Sequence, residues 1–204
     1  MGFYTNFIIP YCIDFAMSDS TLSQYRQDLL TGVWGEILEI GFGTGLNLPH
    51  YPNHVNKITT VDPNPGMKKL ARSRINHSQI IVDYKVLNGE SLPLKDDSFD
   101  SIVCTWTLCS IPAVDRAIAE IYRLLKSGGK FFFIEHGLSQ EPQIQVWQNR
   151  LTPVQKIIAD GCHLNRKIND LIAQQFHDVT IKQFYAPKLP KVIGYMYQGI
   201  ATKP

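Results

Sequence analysis

The chain has 204 residues, enough for one well-filled domain and too few for two large ones. Lys plus Arg total 20 against 18 for Asp plus Glu, with no block of like charge, so the near-neutral field argues against nucleic acid as a partner. Cys12, Cys104, Cys109 and Cys162 show neither C-x-x-C nor paired zinc spacing, so free thiols in a reducing cytoplasm and no metal are expected.

From Phe3 to Met17 the chain is apolar, but it lacks a basic leading segment and a small-residue cleavage site, and Pro10 and Asp14 interrupt it. It is too short to span a bilayer and reads as a helix packed over a ligand site, with peripheral membrane contact as the alternative. Tyr4, Phe7 and Tyr11 are aromatic candidates for that cover or for core. A second helix spans 20–30 and opens at Ser20.

Ile37, Leu38 and Ile40 then read as a buried strand over 36–41 that ends in Gly41-Phe42-Gly43-Thr44-Gly45. A short helix is expected from near Thr44 to before Pro49. Glycines at alternate positions let the backbone turn sharply and approach a ligand closely. The dinucleotide fingerprint wants a small residue at position 46, where Leu46 stands, which weakens an NAD assignment. Glu39 puts a carboxylate at the strand tip, facing a cationic ligand better than a pyrophosphate. S-adenosylmethionine, with an ammonium, a sulfonium and no phosphate, fits. A second strand, Lys57–Val61, ends at Asp62, 21 positions after Gly41, the separation at which a βαβ unit returns a carboxylate to bind ribose hydroxyls. Pro63 follows, and Pro65 opens a helix to about Asn76.

Ile80 to Val86 gives a third strand, followed by Asn88-Gly89-Glu90, where Asn88 and Glu90 either lie beside a nucleoside base or face water. Phe99–Cys104 is a fourth strand, and the connection Thr105-Trp106-Thr107-Leu108 is apolar enough to line a pocket. A helix over 112–126 buries Val114, Ile118, Ile121 and Leu125. Lys130–Ile134 reads as a strand covered on both faces, tipped by Glu135-His136. Helices over 143–160 and 166–176 flank Asp160-Gly161-Cys162-His163, and strands His177–Phe184 and Val192–Thr202 are close enough to pair antiparallel. Alternating β and α elements imply a parallel sheet with helices on both faces and a ligand beyond the strands' carboxyl ends. His136 and His163 are candidate bases there with Asp160 as orienter, or hydrogen-bonded structural residues. Arg166 either binds an acidic acceptor or caps a helix.

Glu39-Ile40-Gly41-Phe42-Gly43-Thr44-Gly45, Asp62, Gly89-Glu90-Ser91-Leu92-Pro93, Phe99-Asp100 and Leu124-Leu125-Lys126-Ser127-Gly128-Gly129 resemble the class I S-adenosylmethionine-dependent methyltransferases over nearly the whole chain. The resemblance implies a Rossmann-like three-layer αβα sandwich with a seven-stranded, mostly parallel sheet ordered 3-2-1-4-5-7-6, strand 7 antiparallel. Cys104 to Pro112, Glu135-His136 and Asp160 to Arg166 are similar to the group that includes the microsomal thiol methyltransferases, which implies a small-molecule acceptor, possibly a thiol. On this basis 1–204 is one domain: a helical cover (1–31), a cofactor-binding core (32–136) and an acceptor-side segment (137–204). Glu39 is expected to hold the methionine end, by way of the turn or water, Asp62 the ribose, and Asn88, Gly89, Glu90 and Thr105 to enclose the adenine. A phospholipid amine or a quinone-type ring is the alternative acceptor, and an NAD-dependent oxidoreductase or a non-catalytic binder the alternative class. The oligomeric state is left open.

Overall fold

The computed structural model describes residues 9–204, so Tyr4 and Phe7 lie outside the described residues. Two helices, α1 (Ile9–Met17) and α2 (Ser20–Leu30), precede the sheet, the second capped by the Asp19 carboxylate accepting the Thr21 N–H. The alternating part follows as β1 (Ile37–Ile40), β2 (Lys57–Val61), α3 (Pro65–His77), β3 (Ile81–Lys85), β4 (Phe99–Thr105), α4 (Val114–Leu124) and β5 (Leu125–His136). It ends in α5 (Pro142–Ile158), α6 (Ile168–Ala173), β6 (Asp178–Tyr185) and β7 (Tyr195–Thr202).

The seven strands form one sheet ordered β3-β2-β1-β4-β5-β7-β6, as the resemblance implied. β1 to β5 pair in parallel, while β7 runs antiparallel to both β5 and β6. Parallel pairing needs crossovers, and these lay helices on both faces. The side chains of β5 show the result. Phe131 and Phe133 join one core with Val114, Ile118 and Ile121 of α4 and Ile168 and Ile172 of α6. Phe132 and Ile134 join the other with Leu29 and Leu30 of α2 and Ala71 of α3. A strand buried on both faces has no solvent side to alternate with, hence the unbroken apolar run.

One expected element is absent. In place of a helix from Thr44, the chain makes successive tight turns and a single 3-10 turn at Leu48–His50, because Gly41, Gly43 and Gly45 all adopt positive φ and the α-helical register cannot start until they are passed. β5 also starts earlier than expected: Leu125 already pairs with Phe99, and the register shifts before Lys130 pairs with Ser101.

Candidate functional site

The carboxyl ends of β1 to β5 open into a cavity of about 840 Å³, within the size range of ligand sites. Gly41, Phe42 and Gly43 form its floor, at the turn that β1 feeds. Gly41 has φ +77°, and a Cβ there would lie 2.0 Å from Thr107 Oγ1, so only glycine lets the turn pass under the loop after β4.

Asp62 and Pro63 line the cavity from the tip of β2. One Asp62 oxygen accepts the Gly43 N–H at 2.8 Å and the other the Asn64 N–H at 2.8 Å, fixing the carboxylate across the turn. Burial pushes Asp62 up to about 6, against those two hydrogen bonds. Asn88, Gly89 and Thr105 also line the cavity.

Glu39 stands one layer behind this surface. It is fully buried, accepting a hydrogen bond from Asn47 Nδ2 at 2.8 Å and from Tyr51 OH at 2.7 Å, and burial pushes it up to about 7 in spite of them. Asn47, its hydrogen-bond donor, does line the cavity. Of the two carboxylates expected to flank one ligand, Asp62 lines the cavity, while Glu39 lies behind it and is joined to the cavity lining by Asn47. Glu90 is engaged elsewhere too. Its Oε1 accepts the Ala113 N–H at 2.9 Å, capping α4, whose own N-cap residue offers no side chain for the purpose. Gly45 packs against the Phe42 ring outside the cavity.

Arg26, Asn47 and Tyr51 were not foreseen. Arg26 is 3% exposed, lines the cavity, stacks over Trp106 and donates through NH1 to the Met17 carbonyl. Burial lowers it to about 10, so it stays cationic at neutral pH. Among the described residues, Arg26 Nε and Asn47 Oδ1 are buried without a hydrogen-bond partner. A donor on a cation and an acceptor backed by a carboxylate suit the carboxylate and ammonium of an amino acid, while Asp62 suits a diol. The donor set thus fits S-adenosylmethionine.

α1 and α2 close the cavity with Ile13, Ala16, Met17 and Leu22, while Tyr11 points outward, 53% exposed. α1 is pinned to the turn by Asp14, which pairs with Arg74 NH1 at 2.7 Å and accepts from Thr44 Oγ1 at 2.5 Å.

The opposite wall holds His136 and Asp160. His163 does not line it. Its Nδ1 lies 3.1 Å from the Cys109 carbonyl, and burial and Arg166 lower its basicity. Asp160 makes no hydrogen bond to either histidine among the described residues, so its expected role as orienter is not what the geometry shows. Arg166 braces the loop after β4 through the Leu108 and Ile111 carbonyls rather than meeting a ligand. Beside His136 stand two thiols whose sequence spacing gave no sign of pairing: Cys162 Sγ is 2.9 Å from His136 Nε2 and 3.5 Å from Cys109 Sγ.

The methyltransferase domain family matches residues 38–133. The thiol S-methyltransferase TMT1B of Rattus norvegicus is 40% identical over 176 residues, covering 82% of this chain and 70% of that protein. Among solved structures, a possible histamine N-methyltransferase of Thermotoga maritima superposes with TM-score 0.69 at 22% identity, covering 98% of each chain. The phospholethanolamine N-methyltransferase 2 of Haemonchus contortus, determined with S-adenosylhomocysteine, gives TM-score 0.73 at 15% identity over 96% of this chain and 57% of that one.

Proposed function

The chain belongs to the class I S-adenosylmethionine-dependent methyltransferases, and we propose that the acceptor it methylates is a small, apolar thiol. Similarity to a thiol S-methyltransferase along most of both chains carries this choice. The cavity supports it. Its acceptor side is bounded by Ile13, Ile158, Leu189 and Ile193, which reward an apolar body. α5, whose Ile158 lines the cavity, exposes Val154, Ile157 and Ile158, an apolar surface consistent with acceptors that partition into lipid and with peripheral membrane contact.

S-adenosylmethionine, when bound, supplies a methyl group already activated on a sulfonium. The chain's own residues hold and enclose. Arg26 would bind the carboxylate of the methionine end, and Asn47 Oδ1, polarised by Glu39, the ammonium. Asp62 would accept from the ribose hydroxyls, with Asn88 and Gly89 beside the base. α1, clamped by Asp14, excludes water, and the remaining space places an acceptor sulfur opposite the donor end. A free thiol is only a few per cent ionised at neutral pH, so the wall made by Cys109, His136 and Cys162 has to hold it as thiolate.

The test is a panel of small thiols, amines, phenols and quinols incubated with donor and read by release of S-adenosylhomocysteine. Thiols are expected to turn over and the rest to stay near background. Inert thiols beside an active amine or quinol would assign the acceptor to that other class.

A further inference from the structure

We propose that Cys109, Cys162 and His136 form a zinc site with three protein ligands and its fourth position open to the cavity. The metal site stands on geometry alone; the part that assigns the fourth position to the acceptor's sulfur rests on the thiol reading above. The two sulfurs and an imidazole nitrogen lie within 4.8 Å of one another, come from three separate segments, and all three residues line the cavity. Around tetrahedral zinc, with Zn–S of about 2.3 Å and Zn–N of about 2.0 Å, paired sulfurs stand about 3.8 Å apart and sulfur and nitrogen about 3.5 Å. Here the separations are 3.5 Å for Sγ to Sγ and 2.9 Å for Cys162 Sγ to His136 Nε2, so closing on an ion asks only for side-chain shifts of less than about 1 Å.

The support around the ligands is that of a prepared site. Glu135, fully buried, accepts the N–H groups of Thr107, Leu108 and Cys109, which sets the loop bearing Cys109. The His163 backbone N–H donates to the Cys109 carbonyl at 2.9 Å and its ring Nδ1 lies 3.1 Å from the same oxygen, tying the loop of Cys162 to that of Cys109. At Gly161, with φ +87°, an added Cβ would lie 3.1 Å from the Ser110 carbonyl oxygen, so a glycine suits the close approach of the two loops. Two thiolates and one imidazole select zinc over harder cations, and three ligands rather than four is the pattern of a site that binds a further molecule.

A thiol entering the fourth position displaces water and loses its S–H proton to solvent, leaving a zinc-bound thiolate. That thiolate's lone pair forms the new S–C bond as the donor's S–C bond breaks, and the neutral thioether, a weak ligand, leaves.

Cobalt(II) is the probe, read by thiolate-to-cobalt charge-transfer absorption, alongside the zinc content of the purified chain. About one metal per chain is expected, with the band lost in Cys109→Ser and Cys162→Ser and affinity lowered roughly 10–100-fold or more in His136→Ala. S-adenosylhomocysteine affinity should be unchanged in all three. Should the variants unfold, thiol labelling of the unmodified chain decides: Zn2+ should slow labelling of Cys109 and Cys162 but not of exposed Cys12. A band that survives both serine variants, or labelling indifferent to Zn2+, overturns the site. Metal bound at these residues with thiols inert upholds the site and sinks the thiol acceptor. Thiols methylated at full rate by metal-stripped enzyme uphold that acceptor and overturn the proposed use of the fourth position.

Discussion

At the scale of single residues, the charges at the cavity floor make donor binding depend on pH. Asp62 is pushed up to about 6 and Glu39 to about 7, in each case by burial first. Hydroxyl donors and a cation favour the ionised carboxyls, so affinity for S-adenosylmethionine should fall as pH drops through these values, by up to about tenfold per unit for each group involved. Titrations from pH 5 to 8 measure it. For the free protein the sign is opposite. A carboxyl with a folded pKa above its unfolded value binds its proton more tightly when folded, so Asp62 favours the native state at acid pH and this contribution is lost as pH rises from 3.8 through about 6. Asp62→Ala should weaken donor binding about 10–100-fold in calorimetry, since it removes the acceptor for two ribose donors. Asp62 was legible from its spacing to Gly41. Arg26 was legible only in part: it lies four residues after Leu22 and three before Leu29, on the buried face of α2, where a charged side chain needs a reason. The cluster of Cys109, His136 and Cys162 was not legible, because its members are separated by 27 and 26 positions and meet only after the sheet forms.

At the scale of elements, the glycine turn and the clamp on α1 carry the predictions. Gly41→Ala should cost about 1–2 kcal/mol for its left-handed backbone alone, a fall in Tm of roughly 2–8 °C before the contact with Thr107 is counted, and should abolish donor binding. Asp14→Ala should leave stability nearly intact, since its pair with Arg74 is partly exposed and worth no more than about 1 kcal/mol. It should nonetheless weaken donor binding and make α1 more sensitive to limited proteolysis, because α1 then loses both Arg74 and Thr44 as anchors. Strands were readable from apolar runs and turn residues. The stretch after β1 was misread as a helix because Pro49 marked a stop while the positive φ of Gly41, Gly43 and Gly45 was not visible in the sequence. Glu90 was misassigned because nothing local shows that α4 lacks a cap of its own.

For the whole molecule, the sheet order and the antiparallel last strand followed from the resemblance rather than from periodicity, which cannot order strands. The order has a consequence for linkage. The residues proposed to hold the donor come from the tips of β1, β2, β3 and β4 and from α2, so binding there would tie the sheet's centre to its N-terminal cover. S-adenosylmethionine at about 100 times its Kd should stabilise the fold by about 2.7 kcal/mol and raise Tm by roughly 5–11 °C, while NAD should leave it unmoved. The most direct measurement is a crystal structure with S-adenosylhomocysteine. It should show the ribose on Asp62, the amino-acid end at Arg26 and Asn47, and the sulfur turned towards Cys109, His136 and Cys162. A nucleoside bound away from Asp62, or a sulfur facing away from that wall, would contradict the account.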